Sequence, residues 1–209
     1  MTESVGTVAC SAPEPHVNQS VLVVIGPSAS GKSSVVRALP RRRLIRVHPT
    51  WTTRPPRADE SKGSVEHRFV SEANFDELCG RGFFVETGTL PGLPHRYGLP
   101  PLHTSRQGRI AAVMLRAPLV PRVARIFPSL VVYQIADQRE RARERLLERG
   151  SPPEELTARL GDHRGEIAAG RRLADRVFFN DGCLAALVDA VAAALCSDIP
   201  GTTSDRGAS

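Results

Sequence analysis

Eight consecutive residues, Gly26-Pro27-Ser28-Ala29-Ser30-Gly31-Lys32-Ser33, have the types and spacing of a phosphate cradle. They fit the pattern GxxxxGK[ST], in which glycines let successive backbone N–H groups turn inward around an anion. The lysine of this pattern reaches the outer phosphates of a nucleoside triphosphate, and the hydroxyl after it is a ligand for Mg²⁺. Lys32 and Ser33 take those two places, and Ser34 extends the expected ATP-binding set. The pattern carries this meaning only between a strand and a helix. Residues 21–25, Val-Leu-Val-Val-Ile, read as a strand buried on both faces, and 33–39 reads as a helix aiming its positive dipole end at the anion. Lys32 also stands out by composition, since Lys32 and Lys62 are lysines and the other basic residues are arginines. The loop predicts a nucleotide without a reaction, because GTPases, ATPases and kinases share it.

A second cluster with chemical content is Thr50-Trp51-Thr52-Thr53-Arg54-Pro55-Pro56-Arg57-Ala58-Asp59-Glu60. Arg54 and Arg57, three apart in a proline-stiffened loop, make a clamp for phosphate, because guanidinium forks match phosphate oxygens. A solvated basic loop is the plainer alternative.

The elements that must position these groups alternate. A short strand is read at 44–47. Residues 49–100 are rich in Pro, Gly, Arg and His and read as an inserted subdomain. Within it, strands are expected at 69–70 and 83–86. A helix capped by Ser71 presents Asn74, Phe75 and Leu78 on one face, and 88–101 reads as loop. Strands follow at 109–115, 130–135 and 176–179, and helices at 119–126, 137–149 and 183–195. A further helix begins at Ser151-Pro152-Pro153-Glu154-Glu155, with Ser at the cap and Pro in the first turn. That helix has many charges and little apolar face, so it reads as solvated or mobile. Strands alternating with helices predict an α/β fold on a parallel sheet. Residues 1–20 and 198–209 read as disordered tails around a domain over 21–197.

Composition narrows the classes. The chain has 209 residues, 41% hydrophobic, enough for one core. Its net charge is +6, but no aromatic-basic interleaving supports nucleic-acid binding. Cys10, Cys79, Cys183 and Cys196 show no metal-ligand spacing, which fits a reduced, cytoplasmic setting with Cys79 and Cys183 packed as small hydrophobes. There is no signal-peptide pattern and no apolar run of the ~20 residues that a membrane span needs.

Taken together, the Gly-Pro-Ser loop, the TTRxxRxxE segment, the pair Tyr97-Gly98 and the arginine-rich stretch that follows resemble, in that order, the guanylate kinase family. The resemblance covers about residues 21 to 195. It implies a five-stranded parallel sheet, the acceptor-binding insert, and a helical lid over about 145–172 that closes on ATP. By the same resemblance Arg54, Arg57 and Tyr97 hold the acceptor phosphate, and Thr50 and Glu86 hydrogen-bond a guanine edge. Glu60 follows at the family spacing. Arg149 and Arg159 reach the transferring phosphoryl group from the lid, and Asn180 lies near the adenine. An amphipathic helix with Glu-Arg pairs is the alternative for the lid, and Arg139, Arg141 and Arg143 fit it.

The sequence departs from the family in three places. The strand at 109–115 ends Met114-Leu115-Arg116, with no acid where an Asp-x-Asp is usual. Leu99 replaces a small hydroxyl residue, and His67 a tyrosine. His67 has two readings, a general base or a polar contact in the acceptor site. The segments Glu66-His67, Arg96-Tyr97-Gly98-Leu99-Pro100, Arg116-Ala117 and Asn180-Asp181-Gly182 are similar to ribose 1,5-bisphosphate phosphokinase. The expected function is therefore ATP- and Mg²⁺-dependent phosphoryl transfer to GMP or a related monophosphate, with ribose 1,5-bisphosphate as the alternative acceptor. A non-catalytic binding module is the third reading. The oligomeric state is open.

Overall fold

The computed structural model of the protein describes residues 20–56, 60, 64–89, 94–102, 109–161 and 163–199. Arg57 and most of both expected tails lie outside the described residues. In chain order the elements are β1 (Val21–Ile25), α1 (Lys32–Ala38), β2 (Ile45–Val47), β3 (Thr50–Thr52), β4 (His67–Phe69), α2 (Glu72–Gly80), β5 (Glu86–Thr89), β6 (Arg96–Leu99), β7 (Ile110–Met114), α3 (Val120–Ala124), β8 (Leu130–Ala136), α4 (Arg139–Glu148), α5 (Pro153–Leu160), α6 (His163–Leu173), β9 (Arg176–Phe179) and α7 (Leu184–Asp198).

Five of these strands form one sheet in the order β2-β7-β1-β8-β9, and every pairing in it is parallel. The expected five-stranded parallel sheet is thus present. Its centre is β1, all of whose side chains are buried. The pleat sends them alternately to two cores. Leu22 and Val24 pack with Val35 and Val36 of α1 and with Leu187, Val188, Val191 and Leu195 of α7. Val21, Val23 and Ile25 pack with Val113 of β7 and with Val120 and Val123 of α3. A strand covered on both faces has no polar side, which is why its sequence is continuously apolar.

Between β2 and β7 the chain builds a second sheet, ordered β4-β3-β6-β5. β3 runs parallel to β4 and antiparallel to β6, and β5 is antiparallel to β6. Sequence reading missed β3 and β6, which are short and lie in a proline-, glycine- and arginine-rich stretch. It also placed a strand at 83–86, whereas pairing begins at Glu86. Phe83 and Phe84 instead form an aromatic cluster with Trp51 and Phe75. Trp51 and Phe83 meet edge-on at 5.2 Å, and Phe75 and Phe84 stack at 4.8 Å. Gly98 is required there, because a Cβ on it would lie 2.6 Å from the Phe84 ring. Ser71 caps α2 as expected, its hydroxyl accepting from the Asn74 N–H at 3.2 Å.

In the arginine-rich region α4 and α5 lie where helices were expected, and a third helix, α6, is seated on the core. Gly170 of α6 packs so closely on β8 that a Cβ there would lie 2.3 Å from the Gln134 amide. The Gln134 amide in turn donates to the Ile167 carbonyl at 2.9 Å. α5 is capped by Pro152 and starts at Pro153, with no side-chain cap from Ser151. At the C-terminus α7 runs to Asp198, beyond the expected 195, and Ile199 is buried. Cys183 is exposed, not packed as expected, and Cys79 is half-buried.

Candidate active site

In an open parallel sheet, ligands bind beyond the carboxyl ends of the strands, where neighbouring connections diverge. Here β1 is followed by the phosphate loop, β7 by Leu115 and Arg116, β8 by Asp137 and β9 by Asn180. One cavity of about 270 Å³ opens at this end, lined by Ser28 to Ser33, Thr50, Arg54, His67, Glu86, Tyr97, Arg149 and Arg159. The tertiary structure thus brings the loop, five of the seven expected acceptor residues and both expected lid arginines onto one space. Gly26, Pro27 and Ser34 belong to the loop and the first turn of α1, but not to the cavity wall.

The loop's shape depends on its glycines. Gly26 has φ +140° and Gly31 φ +102°, and Ala29 also adopts the left-handed region at +60°. A Cβ on Gly26 would lie 2.0 Å from the Ile135 carbonyl oxygen. The Lys32 ammonium donates to the carbonyls of Gly26 at 2.8 Å and Pro27 at 2.6 Å, so the lysine is folded across the mouth of its own loop. From behind, the buried Asn180 amide donates to the Ser30 carbonyl at 2.9 Å. Asn180, expected near the adenine, is therefore placed beneath the loop and off the cavity lining. Arg145 donates to the Ala29 carbonyl at 2.6 Å and to Asp137 at 2.8 Å. Asp137, wholly buried, also meets His163 Nε2 at 3.0 Å. Sequence reading missed this Asp137–Arg145–His163 group. Arg145 stands one helical turn before Arg149, and Asp137 directly follows a strand beside β1; both were available as signals.

On the facing wall, Arg54 and Glu60 form a fork-on-fork pair, with Nη1 to Oε2 at 2.7 Å and Nη2 to Oε1 at 2.8 Å. Both side chains are almost fully buried. Burial opposes the Arg54 charge, but the hydrogen bond and field of Glu60 outweigh it, with a smaller contribution from Tyr97, and the guanidinium pKa is raised. Glu60 is off the cavity and braces Arg54, which lines it. The Arg54 guanidinium also lies 5.0 Å from the centre of the Phe69 ring, a cation–π contact that fixes its plane. Thr50 Oγ1 and His67 Nδ1 are 2.9 Å apart. That bond makes His67 a neighbour that orients the threonine. The Glu86 carboxylate meets Arg122 of α3 at 2.9 Å, so this acid is braced from the main domain.

Arg149 closes the end of α4, and Arg159 lies on α5 with its Nε 2.8 Å from Glu155. Arg139 donates to the Leu160 carbonyl and Arg141 to the Asp181 carbonyl, so neither lines the cavity. The cavity also contains Arg116 and Glu166, which sequence reading did not assign. Among the described residues no group of three or more His, Cys, Asp or Glu side chains is arranged to hold a metal ion. No helix among them is long and apolar enough to cross a membrane.

A phosphate loop facing a buried arginine clamp across one cavity, on a sheet of order β2-β7-β1-β8-β9, defines a P-loop phosphotransferase, a kinase acting between two bound phosphates. No family model matches the chain. Among curated proteins it is similar to the guanylate kinase of Mycolicibacterium paratuberculosis, 35% identical over 93% of this chain and 86% of that one. It is similar also to the guanylate kinase of Gloeobacter violaceus, 32% identical over 92% of this chain and 94% of the relative. Its fold matches the crystal structure of guanylate kinase from Anaplasma phagocytophilum with a TM-score of 0.63, at 20% identity over 88% of this chain and 89% of that one. The chain belongs to the guanylate kinase family.

Proposed function

We propose that the protein transfers the γ-phosphoryl group of ATP to GMP, forming GDP and ADP. The observation that carries this reading is one cavity lined both by the phosphate loop and by Arg54, Tyr97, Thr50 and Glu86, with Arg54 held by Glu60. Arg54 and Tyr97, with Arg57 from outside the described residues, hold the acceptor phosphate. Thr50 and Glu86 face the base: a carboxylate suits the N1–H and N2–H₂ donors of guanine. An oxygen of the acceptor phosphate attacks the γ-phosphorus in line as the bond to the β,γ-bridging oxygen breaks, and that electron pair leaves with ADP. The attacking oxygen is already anionic near neutral pH, so the step needs no general base. Lys32, Arg149 and Arg159 stabilise the charge spread over the equatorial oxygens.

The residues present fit a magnesium ion held as in other phosphate loops, through the hydroxyl after the lysine, with phosphate oxygens and water completing its shell. Ser33 would be the protein ligand on the cavity, since the two carboxylates there, Glu86 and Glu166, are both ion-paired with arginines. When bound, the ion neutralises charge on the β- and γ-phosphates. A small, soluble pair of substrates is consistent with a cytoplasmic setting. The ribose 1,5-bisphosphate alternative gains no support from the relatives.

The test follows ADP release with ATP and Mg²⁺ against GMP, dGMP, AMP, UMP and ribose 1,5-bisphosphate. Turnover with GMP far above the others is expected. Glu86→Ala should raise the KM for GMP, and Lys32→Ala should lower kcat by about 10²–10³-fold, the usual loss for a preorganised charge donor. Turnover with ribose 1,5-bisphosphate and none with GMP overturns the acceptor assignment. Full activity of Lys32→Ala overturns the donor site.

A further inference from the structure

The sheet order β2-β7-β1 has a geometric consequence for Arg116. The chain leaving β2 enters the acceptor wall at Thr50, and the chain leaving β1 enters the phosphate loop. The strand between them is β7, held in register by Val24↔Met114 and by the Leu115 N–H donating to the Val24 carbonyl at 3.1 Å. Arg116, the next residue, therefore leaves the sheet between donor and acceptor walls, where a phosphoryl group passing from one to the other must travel.

Its guanidinium is held in place. Nε lies 2.8 Å from Glu166 Oε1, and Glu166 on α6 is 5% exposed. α6 is itself fixed on β8 by the tight Gly170 packing. Nη1 lies 3.5 Å from Ser28 Oγ, at the outer half of the phosphate loop and away from the Lys32–Ser33 end where α1 begins. The side chain remains 28% exposed and lines the cavity. The ion pair with a buried carboxylate keeps the guanidinium at the cavity, where its N–H groups can donate to a phosphate. The backbone amides near the start of α1 surround the inner phosphates, so the group within reach of Ser28 and the open cavity is the outermost one.

We infer that Arg116, positioned by Glu166, binds the γ-phosphate of ATP and is a further catalytic arginine beside Arg149 and Arg159. This rests on the reading of the cavity as the ATP site and is independent of which acceptor is used. Family resemblance places acids at the end of this strand; here the cavity gains a cation at that point.

The test compares ATP and ADP affinities by calorimetry with Mg²⁺ present, in wild type, Arg116→Lys, and the double variant Arg116→Gln/Glu166→Gln. The double variant removes both members of the Arg116–Glu166 ion pair together, and its melting temperature reports folding. Arg116 meets only the third phosphate, so ATP affinity should fall by about 10- to 100-fold, the range for a lost charge-assisted hydrogen bond. ADP affinity should stay within about twofold, and Arg116→Lys should recover part of the ATP affinity. Equal weakening of ATP and ADP, or no change in either, overturns the inference and leaves the ATP site standing. Wild-type protein that binds neither nucleotide overturns both.

Discussion

The Asn180 side-chain amide donates to the Ser30 carbonyl across 2.9 Å, tying the residue after β9 to the phosphate loop 150 positions earlier. Its Oδ1 accepts from the Gly182 N–H at 3.1 Å, so the amide is oriented from both sides. Asn180→Ala leaves a loop carbonyl without its donor. The expected effect is about 1–3 kcal/mol of lost stability and weaker ATP binding, read by denaturant unfolding and calorimetry. A variant with unchanged ATP affinity would show that the loop holds its shape without this brace.

Gly31 meets the same amide from the other side. A Cβ at Gly31 would lie 2.5 Å from Asn180 Nδ2, and its φ of +102° is strained for any other residue. Gly31→Ala must both shift Asn180 and strain the backbone at the start of α1, at roughly 1–3 kcal/mol. ATP affinity is expected to fall more than in Asn180→Ala, and the two effects should not add, because the residues are in contact.

The Arg54–Glu60 pair predicts a separation of effects. Glu60→Ala leaves a buried guanidinium without its counter-charge, which destabilises by about 3–5 kcal/mol and lets Arg54 leave its place above Phe69. The KM for the acceptor should rise at least ~10-fold, by the loss of a charge-assisted contact, while ATP affinity stays as in wild type. Steady-state kinetics varying each substrate in turn decides this.

The far end of the sheet carries a pH-dependent contact. Asp198 on α7 accepts from Arg176 Nε at 2.6 Å and from the Tyr133 hydroxyl at 2.7 Å. The bond from Arg176, then that from Tyr133, hold the Asp198 pKa below its ordinary value of 3.8. A carboxylate with a lowered folded pKa adds stability above its unfolded pKa and loses it as pH falls through the folded value. Wild type should therefore be more stable than Asp198→Asn at pH 6, and the difference should shrink as pH drops below about 3.8. Tyr133 is pushed the other way, upward, by burial and by its bond to Asp198, so its hydroxyl stays a donor throughout this range. Urea unfolding at several pH values measures both curves; a constant gap would rule out this account.

The local chemistry and the layered plan are encoded in short stretches of chain. A continuous apolar run, then GxxxxGKS, then a helix can be read locally, because burial on both faces, the glycine turns and the helix start all lie within 18 residues, from Val21 to Ala38. Arg54, Tyr97, Arg149 and Arg159 were legible through their spacing and family resemblance. Which of these side chains line the cavity and which stand behind it follows from the folded chain. Glu60 and Asn180 support from behind, Asp137 and His163 join α6 to the loop, and Arg116 enters between the two walls. Each of these roles is set by strand order and by contacts between residues far apart in the chain, such as Arg145 with Ala29 and Arg116 with Glu166. Hydrophobic periodicity records which face of an element is buried, but carries no information on which polar group waits across the cleft.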